Sequence, residues 1–293
     1  MVIVKLQHGQ GNQMFQYACG RALALRQGSE LKLDLHYLFD RRPAMKFVLR
    51  KYELAEYQIE QSFASRKDVI AVGYGLAERI RCRLLRRTAR WHNRFYEWTF
   101  EPVNDAVLQA RGHVYLDGYF QSPAYFKDYA STIRDDFQLW RKPEGRASDV
   151  QNRIASCESV CVHVRRADYL SNEILEACSI DYYRDAMSLI GSRLPAPEWF
   201  VFSDDIPWCR ANFPESGRTR YVDLTDAEGS MHWYHELMRS CRHFVIPNST
   251  FGWWAAYLSE SPEKIVIAPQ QWFRDPERNK LTRDLIPNEW ERL

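Results

Sequence analysis

The chain of 293 residues has no run of about 20 apolar residues, the length an α-helix needs to cross a lipid bilayer. It opens on a strand-like segment, without the charged stretch and apolar core of a secretory leader. Both absences point to a cytoplasmic protein. Charge bias is missing as well. Forty Lys and Arg stand against thirty-eight Asp and Glu, so nucleic-acid binding through bulk charge is not indicated. Seven cysteines, an odd number with no Cys-x-x-Cys spacing, argue against a disulfide framework and a structural zinc site and fit a reducing compartment. No internal repeat and no low-complexity segment occurs. Aromatic residues make up 14% of the chain and include ten Trp, which suits sugar faces and equally suits ordinary core packing.

What is present is a regular alternation of apolar runs and helix-like segments. Runs at 159–164, 198–203, 219–223, 243–247 and 264–268 read as strands, with helices expected over 181–191, 207–213, 232–241 and 251–260. The first half starts in the same way, with strand 2–6, helix 12–27 and strand 31–35, and resumes at strand 113–118 and helix 122–139. Residues 36–100 read as irregular. This alternation predicts an α/β fold of parallel strands joined by right-handed crossovers. Residues 142–148 (KPEGRAS) have linker composition and divide the chain into expected domains 1–144 and 145–293.

Three strand ends carry the chemistry. Val160, Val162 and Val164 alternate with Cys161 and His163, and the run ends in Arg165, Arg166 and Asp168. In an open α/β sheet the carboxyl ends of strands are where ligands bind. The planar guanidinium fork matches phosphate oxygens, and a nearby carboxylate can hold it in place. An isolated Arg-Arg-x-Asp is equally an exposed ion pair. Near the start, strand 2–6 leads into Gly9, Gly11, Asn12 and Gln13 at the head of a helix, where free N–H groups favour an anion. Met14 stands where a dinucleotide fingerprint needs its third glycine, so no NAD site follows, and Asn12 reads as the helix N-cap. The run 244–246 ends in Asn248, Ser249, Thr250 and Phe251 before another helix, again bringing hydroxyls and N–H groups together.

These segments, GQGNQMFQYA at 9–18, HVRRAD at 163–168 and NSTFGWW at 248–254, closely resemble the motifs of the α-1,2-fucosyltransferases of glycosyltransferase family 11, in order and spacing, across nearly the whole chain. The blocks LDGYFQSPAYF at 116–126 and FVFSDD at 200–205 match smaller family features. Departures are His8 and Ala167 in place of the usual Gly, Pro247 for Ala and Gly252 for Ser. The resemblance implies a GT-B fold of two Rossmann-like domains facing a central cleft, the first mainly binding the acceptor and the second GDP-fucose. It implies transfer of L-fucose from GDP-β-L-fucose to the 2-OH of a terminal β-galactoside in a surface glycan such as O-antigen, with inversion. GDP-fucose is then a substrate, and neither a cofactor nor a metal is expected. A transferase using another GDP-sugar, or a nucleotide-sugar-binding protein without activity, remains open.

By the same resemblance Arg165 stabilises the departing β-phosphate and Asn12 reaches the fucose or phosphate, the two residues expected to be catalytic. Donor binding is assigned to Gly9, Gly11, Gln13, His163, Arg166, Asp168, Asp204, Asp205, Glu236, Asn248, Ser249, Thr250 and Phe251. Arg166 reads either as a phosphate contact or as an ion-paired prop, with Asp168 orienting one arginine. The pair Asp204–Asp205 invites a metal reading, but cations on the phosphates would compete with the arginines, and these carboxylates instead face ribose or guanine or cap the helix starting at Ile206. Glu236 reads as a guanine acceptor or as an exposed carboxylate. Glu173 and His163 are the candidates for a general base. Finally, seven arginines interleave with Leu76, Ile80, Leu84 and Trp91 over 76–94, a basic amphipathic helix suited to anionic lipid if the acceptor is lipid-linked, or simply a solvated helix.

Overall fold

The computed structural model describes residues 1–39, 51–74, 93–97, 102–170, 174–213, 217–224 and 231–293, apart from the side chains of 73, 74 and 168. The chain divides into two compact units, Met1–Gln138 and Leu139–Leu293. Each is built on its own all-parallel sheet, so the α/β class expected from the alternation is the fold found.

In the first unit the strands are β1 (Val2–Lys5), β2 (Leu31–Asp34), β3 (Arg94–Glu97) and β4 (Val114–Gly118), ordered β2-β1-β4-β3. Every residue of β4 is buried, as expected for a parallel strand covered on both faces. Helix α1 (Gln10–Arg26) leaves the end of β1, and its N-cap is Gly9 in an extended conformation. Asn12 is therefore not the cap but lies within the first turn, which releases its side chain for other partners. Gly20 lets α1 sit close to the sheet: a Cβ there would come within 3.1 Å of Val4 Cβ and 3.0 Å of Leu31 Cδ1. The helix expected over 122–139 is broken. Ser122 caps a 3₁₀ turn at Pro123–Tyr125, a second turn covers Lys127–Tyr129, and only Ala130–Asp136 forms an α-helix, α2. Burial of Tyr125 and Phe126 pins the chain in these turns. Strand β3 lies in the stretch read as irregular; with four residues and charges at both ends it lacks a usable periodicity. The basic segment 76–94 lies outside the described residues except for Asn93 and Arg94, and Arg94 opens β3.

The second unit holds β5 (Ser159–Val164), β6 (Glu198–Ser203), β7 (Thr219–Val222), β8 (His243–Val245), β9 (Val266–Ala268) and β10 (Glu291–Arg292). Helices α3 (Gly145–Ala155), α4 (Ile180–Arg193), α5 (Ile206–Asn212), α6 (Met231–Arg239) and α7 (Thr250–Leu258) alternate with them. Helix α3 begins inside the stretch read as a linker, because Pro, Glu and Gly there also suit a helix start. One side of β5 packs Val160, Val162 and Val164 against Tyr183, Ile190 and Phe213. Trp253 and Trp254 of α7 are fully buried, and Trp253 Nε1 donates to the Leu285 carbonyl at 2.9 Å, which satisfies the polar edge of the ring. Six cysteines are free thiols among the described residues. No described helix is long and apolar enough to cross a membrane.

The sheet order is β10-β9-β8-β5-β6-β7. From β5 the chain steps outward through β6 to β7, then returns to the other flank of β5 and steps outward again. The direction of winding reverses between β5 and β8, and loops leaving a sheet at such a reversal diverge and open a crevice. The first sheet also changes direction at its centre, but differently: from β1 the chain steps outward to β2, passes to the far edge at β3 and steps back inward to β4 beside β1.

Candidate functional site

The loops leaving β5 and β8 are the segments that carry Arg165, Arg166 and Asn248–Phe251, so the strand order brings two of the three sequence clusters to one crevice. Tyr169 joins them, its hydroxyl donating to the Asn248 carbonyl at 3.1 Å. Asn248 itself acts as a loop latch: Nδ2 donates to the carbonyls of Trp272 at 2.9 Å and Glu176 at 3.1 Å. Ser249 is the N-cap of the nine-residue α7 and its side chain makes no capping bond. Its hydroxyl and that of Thr250 stand at the positive end of the helix.

The arginines are held from β6. Arg165 Nη1 lies 2.9 Å from Asp204 Oδ2, and Arg166 Nε lies 3.2 Å from Asp205 Oδ2. Asp204 also accepts from the main-chain N–H of Arg166 at 2.9 Å and of Ala167 at 3.3 Å. Asp205 does two jobs, since its Oδ1 accepts from Trp208 N–H at 3.0 Å as the N-cap of α5, with Pro207 in the first turn as expected. The guanidinium of Arg166 lies over the Trp208 ring, 3.8 Å from its centroid. Arg166 is thus held by a ring on one face and a carboxylate at its edge, while Arg165 has its carboxylate at 2.9 Å and the Tyr169 ring centroid at a longer 5.8 Å. The sequence reading assigned Asp168 to orient an arginine; the partners found are Asp204 and Asp205, and the Asp168 side chain lies outside the described residues, as does Glu173. Trp208 was missed, although Asp-Asp-x-Pro-Trp after a strand is a readable capping pattern. Tyr234 was missed too. Its hydroxyl accepts from Ser203 N–H at 2.8 Å and steadies the end of β6.

His163 is buried at the end of β5. Burial and the nearby Arg165 push its pKa down to about 3, so it is a neutral imidazole near neutral pH and a poor proton acceptor. Its Nδ1 has no hydrogen-bond partner, because Gly252 covers it: a Cβ at 252 would come within 2.5 Å of that nitrogen. Phe251 packs between two imidazoles, 5.8 Å from His163 and 4.8 Å from His235 by ring centroids. His235, a residue the sequence did not single out, is also held at a pKa of about 3 by burial and Arg239. Glu236 is not an exposed carboxylate: burial raises its pKa, while Arg239, 3.6 Å away, acts in the opposite direction.

The first unit presents a different surface. Much of its N-terminal motif is internal scaffolding. Gln13 bonds to the carbonyls of His8 and Lys51 and to Glu53 N–H, all within 2.9 Å, so its side chain closes loops and presents no free amide group. Gln16 accepts from Gln7 N–H at 2.9 Å and donates to the Gly118 carbonyl at 3.0 Å, tying α1 to the ends of β1 and β4. Gly9 and Gly11 lie at the start of α1. At the winding reversal, Gln121 Nε2 donates to Asn12 Oδ1 at 2.6 Å, and His8 Nε2 lies 3.2 Å from the Tyr119 hydroxyl. His8 has φ 64, the left-handed region that favours glycine.

A sheet wound in both directions, with paired arginines and a helix N-terminus at its reversal, is a doubly wound α/β fold whose crevice suits an anion. The sequence profile of "Glycosyl transferase family 11" matches residues 1–293, and the chain belongs to that family of glycosyltransferases. The "Alpha-1,2-colitosyltransferase" of Escherichia coli is 30% identical over 305 residues, covering 100% of this chain and 99% of that protein. The Escherichia coli "O-antigen biosynthesis glycosyltransferase WbnK" is 28% identical, covering 95% and 97%. The "Galactoside alpha-(1,2)-fucosyltransferase 1" of Saimiri boliviensis boliviensis is 28% identical over 190 residues, 59% of this chain and 50% of that protein.

Proposed function

We propose that this glycosyltransferase moves L-fucose from GDP-β-L-fucose to the 2-OH of a terminal β-galactoside, with inversion and without a metal. The observation that carries the reading is the β5/β8 reversal, where Arg165 stands at one loop and Ser249–Thr250 at the head of α7 stand at the other. Negative charge grows on the β-phosphate as the sugar–phosphate bond breaks, and a guanidinium with helix N–H groups is the donor set such a leaving group needs. Arg165 takes the phosphate, Arg166 acts chiefly as a prop, and Asn12 donates to the sugar or phosphate. The partly desolvated Glu236 is suited to accept from guanine N1–H and its amino group. Asp204 and Asp205 are each already paired with an arginine, which supports their role as positioners and not as ligands of a cation.

The relative named an O-antigen biosynthesis glycosyltransferase supports a glycan acceptor. The relative named a colitosyltransferase favours a second reading, a donor carrying colitose, which lacks the 3-hydroxyl of fucose. GDP release measured with GDP-fucose, GDP-colitose, GDP-mannose and UDP-galactose against lactose, N-acetyllactosamine and Galβ1,3GalNAc tests both, with the product linkage read by NMR. Turnover with GDP-fucose, undiminished in excess EDTA, is the expected result. Turnover only with GDP-colitose selects the second reading, and rescue by Mn²⁺ after chelation overturns the metal-free assignment.

A further inference from the structure

The described residues contain three non-glycine positions with positive φ, and two of them, His8 (φ 64) and Phe120 (φ 50), stand in the two loops that leave the first sheet at its reversal. Left-handed backbone at bulky residues costs free energy and persists where the surrounding structure holds it for a purpose. Phe120 is fully buried, which anchors the strained turn, and the next residue is Gln121. Gln121 is itself only 7% exposed and aims Nε2 at Asn12 Oδ1, 2.6 Å away. The hydrogen bond spans 109 positions in sequence and joins the two loops. The other polar end of Gln121, Oε1, is buried without a partner, so the side chain is arranged around one bond at the expense of another.

An Asn side chain carries an acceptor on one end and two donors on the other, and an unrestrained amide presents either. With Oδ1 engaged by Gln121, the end of Asn12 left for a substrate is its NH₂. We infer that Gln121 is a positioning residue that fixes the amide of Asn12 with its donor end toward substrate. This rests on the reading of Asn12 as a residue of the transfer site. The device supplies a neutral hydrogen-bond donor whose orientation is set before the substrate arrives, so that no amide rotation is needed in the transition state.

Gln121→Glu tests the inference, because an ionised carboxylate accepts only. It obliges Asn12 to turn its NH₂ toward position 121 and to present Oδ1 outward. With GDP-fucose as donor, kcat at about pH 8 should fall about 10- to 100-fold while the dissociation constant for GDP stays within about twofold. On acidification the protonated carboxyl regains an O–H donor, so activity relative to wild type at each pH should recover, beginning above the usual range for Glu because the site is buried. Acid would also relieve a folding defect caused by the buried charge, so melting temperatures are followed over the same pH range: kcat that recovers at an unchanged melting temperature reports the hydrogen bond and not the fold. Gln121→Met, which neither donates nor accepts, should lower kcat at every pH with GDP binding retained, and it keeps the test open if the Glu variant melts early. Wild-type kcat in either variant, or a loss in Gln121→Glu that acid does not relieve, overturns the inference. Failure of wild-type protein to turn over GDP-fucose strikes the functional reading instead.

Discussion

Each sheet changes direction at its centre, yet the loops there have opposite chemistry in the two units. In the second unit the loops hold two guanidinium groups, each paired with a carboxylate from the end of β6, and the head of a helix. In the first they hold amides, an imidazole and a phenol, with both amide bonds and strained backbone fixing their directions. A permanently charged fork suits a diphosphate, whose charge is its main feature. Oriented neutral groups suit hydroxyls and ring oxygens, which are distinguished by geometry. Both sheets are parallel and gather loops at the carboxyl ends of their central strands, and the residues placed on those loops suit one to charge and the other to directional hydrogen bonding.

The comparison is broken most severely at Arg165. Arg165→Lys keeps the charge but loses the fork, and kcat/KM should fall by about 2–4 kcal/mol of transition-state stabilisation. Arg166→Lys should lose less if that side chain, stacked on Trp208 and paired with Asp205, acts chiefly as a prop. Steady-state kinetics of the two variants, with circular dichroism as the folding control, decides it. A dead Arg166→Lys beside an active Arg165→Lys reverses the assignment.

In the first unit the matching prediction concerns folding. Gln16→Ala leaves the Gln7 N–H and the Gly118 carbonyl without partners in a buried site, at about 1–3 kcal/mol each. Denaturant unfolding should show the loss, while the GDP dissociation constant of the folded fraction stays as in wild type. A weaker GDP complex at unchanged stability would make Gln16 part of the nucleotide site.

Gly252→Ala drives a methyl group against His163 and should cost about 1–3 kcal/mol of stability through overpacking. Gly252→Ser should cost less, since its hydroxyl can donate to the unpartnered Nδ1. Equal losses in thermal melts of the two variants would rule out that hydrogen bond.

A pH slope tests the buried imidazoles of the second unit. His163 and His235 have folded pKa values of about 3, below the ordinary 6.5, so between these values the unfolded chain binds more protons. Their contribution to stability is complete above about pH 6.5 and is lost as the pH falls toward 3. Melting temperatures across this window should slope less in His235→Asn than in wild type, and an unchanged slope would mean that His235 does not titrate on unfolding.

Much of the second unit was legible because its strands are continuous apolar runs with turn residues after them; β5 and β6 match their expected spans residue for residue. The first unit was harder to read, since β3 is short and polar and the 122–139 segment has helical composition but is interrupted by buried aromatics. At the site, the arginines and the helix head were visible in single segments. Their partners were not: Asp204 is 39 positions from Arg165, and only the pairing of β5 with β6 brings them together. Gln13 was read as donor-binding, whereas it is directed inward, as is Gln16, a distinction that depends on helix phase and on loops far along the chain.

Pairing each arginine with its own aspartate has a kinetic consequence. The second crevice carries its two cations as local dipoles, with little monopole field to extend beyond a Debye length of about 10 Å at 0.1 M salt. A nucleotide sugar would then be captured by short-range fit after encounter and not drawn in from a distance. Its association rate should vary little with ionic strength, and discrimination among anions should appear in how long each one stays.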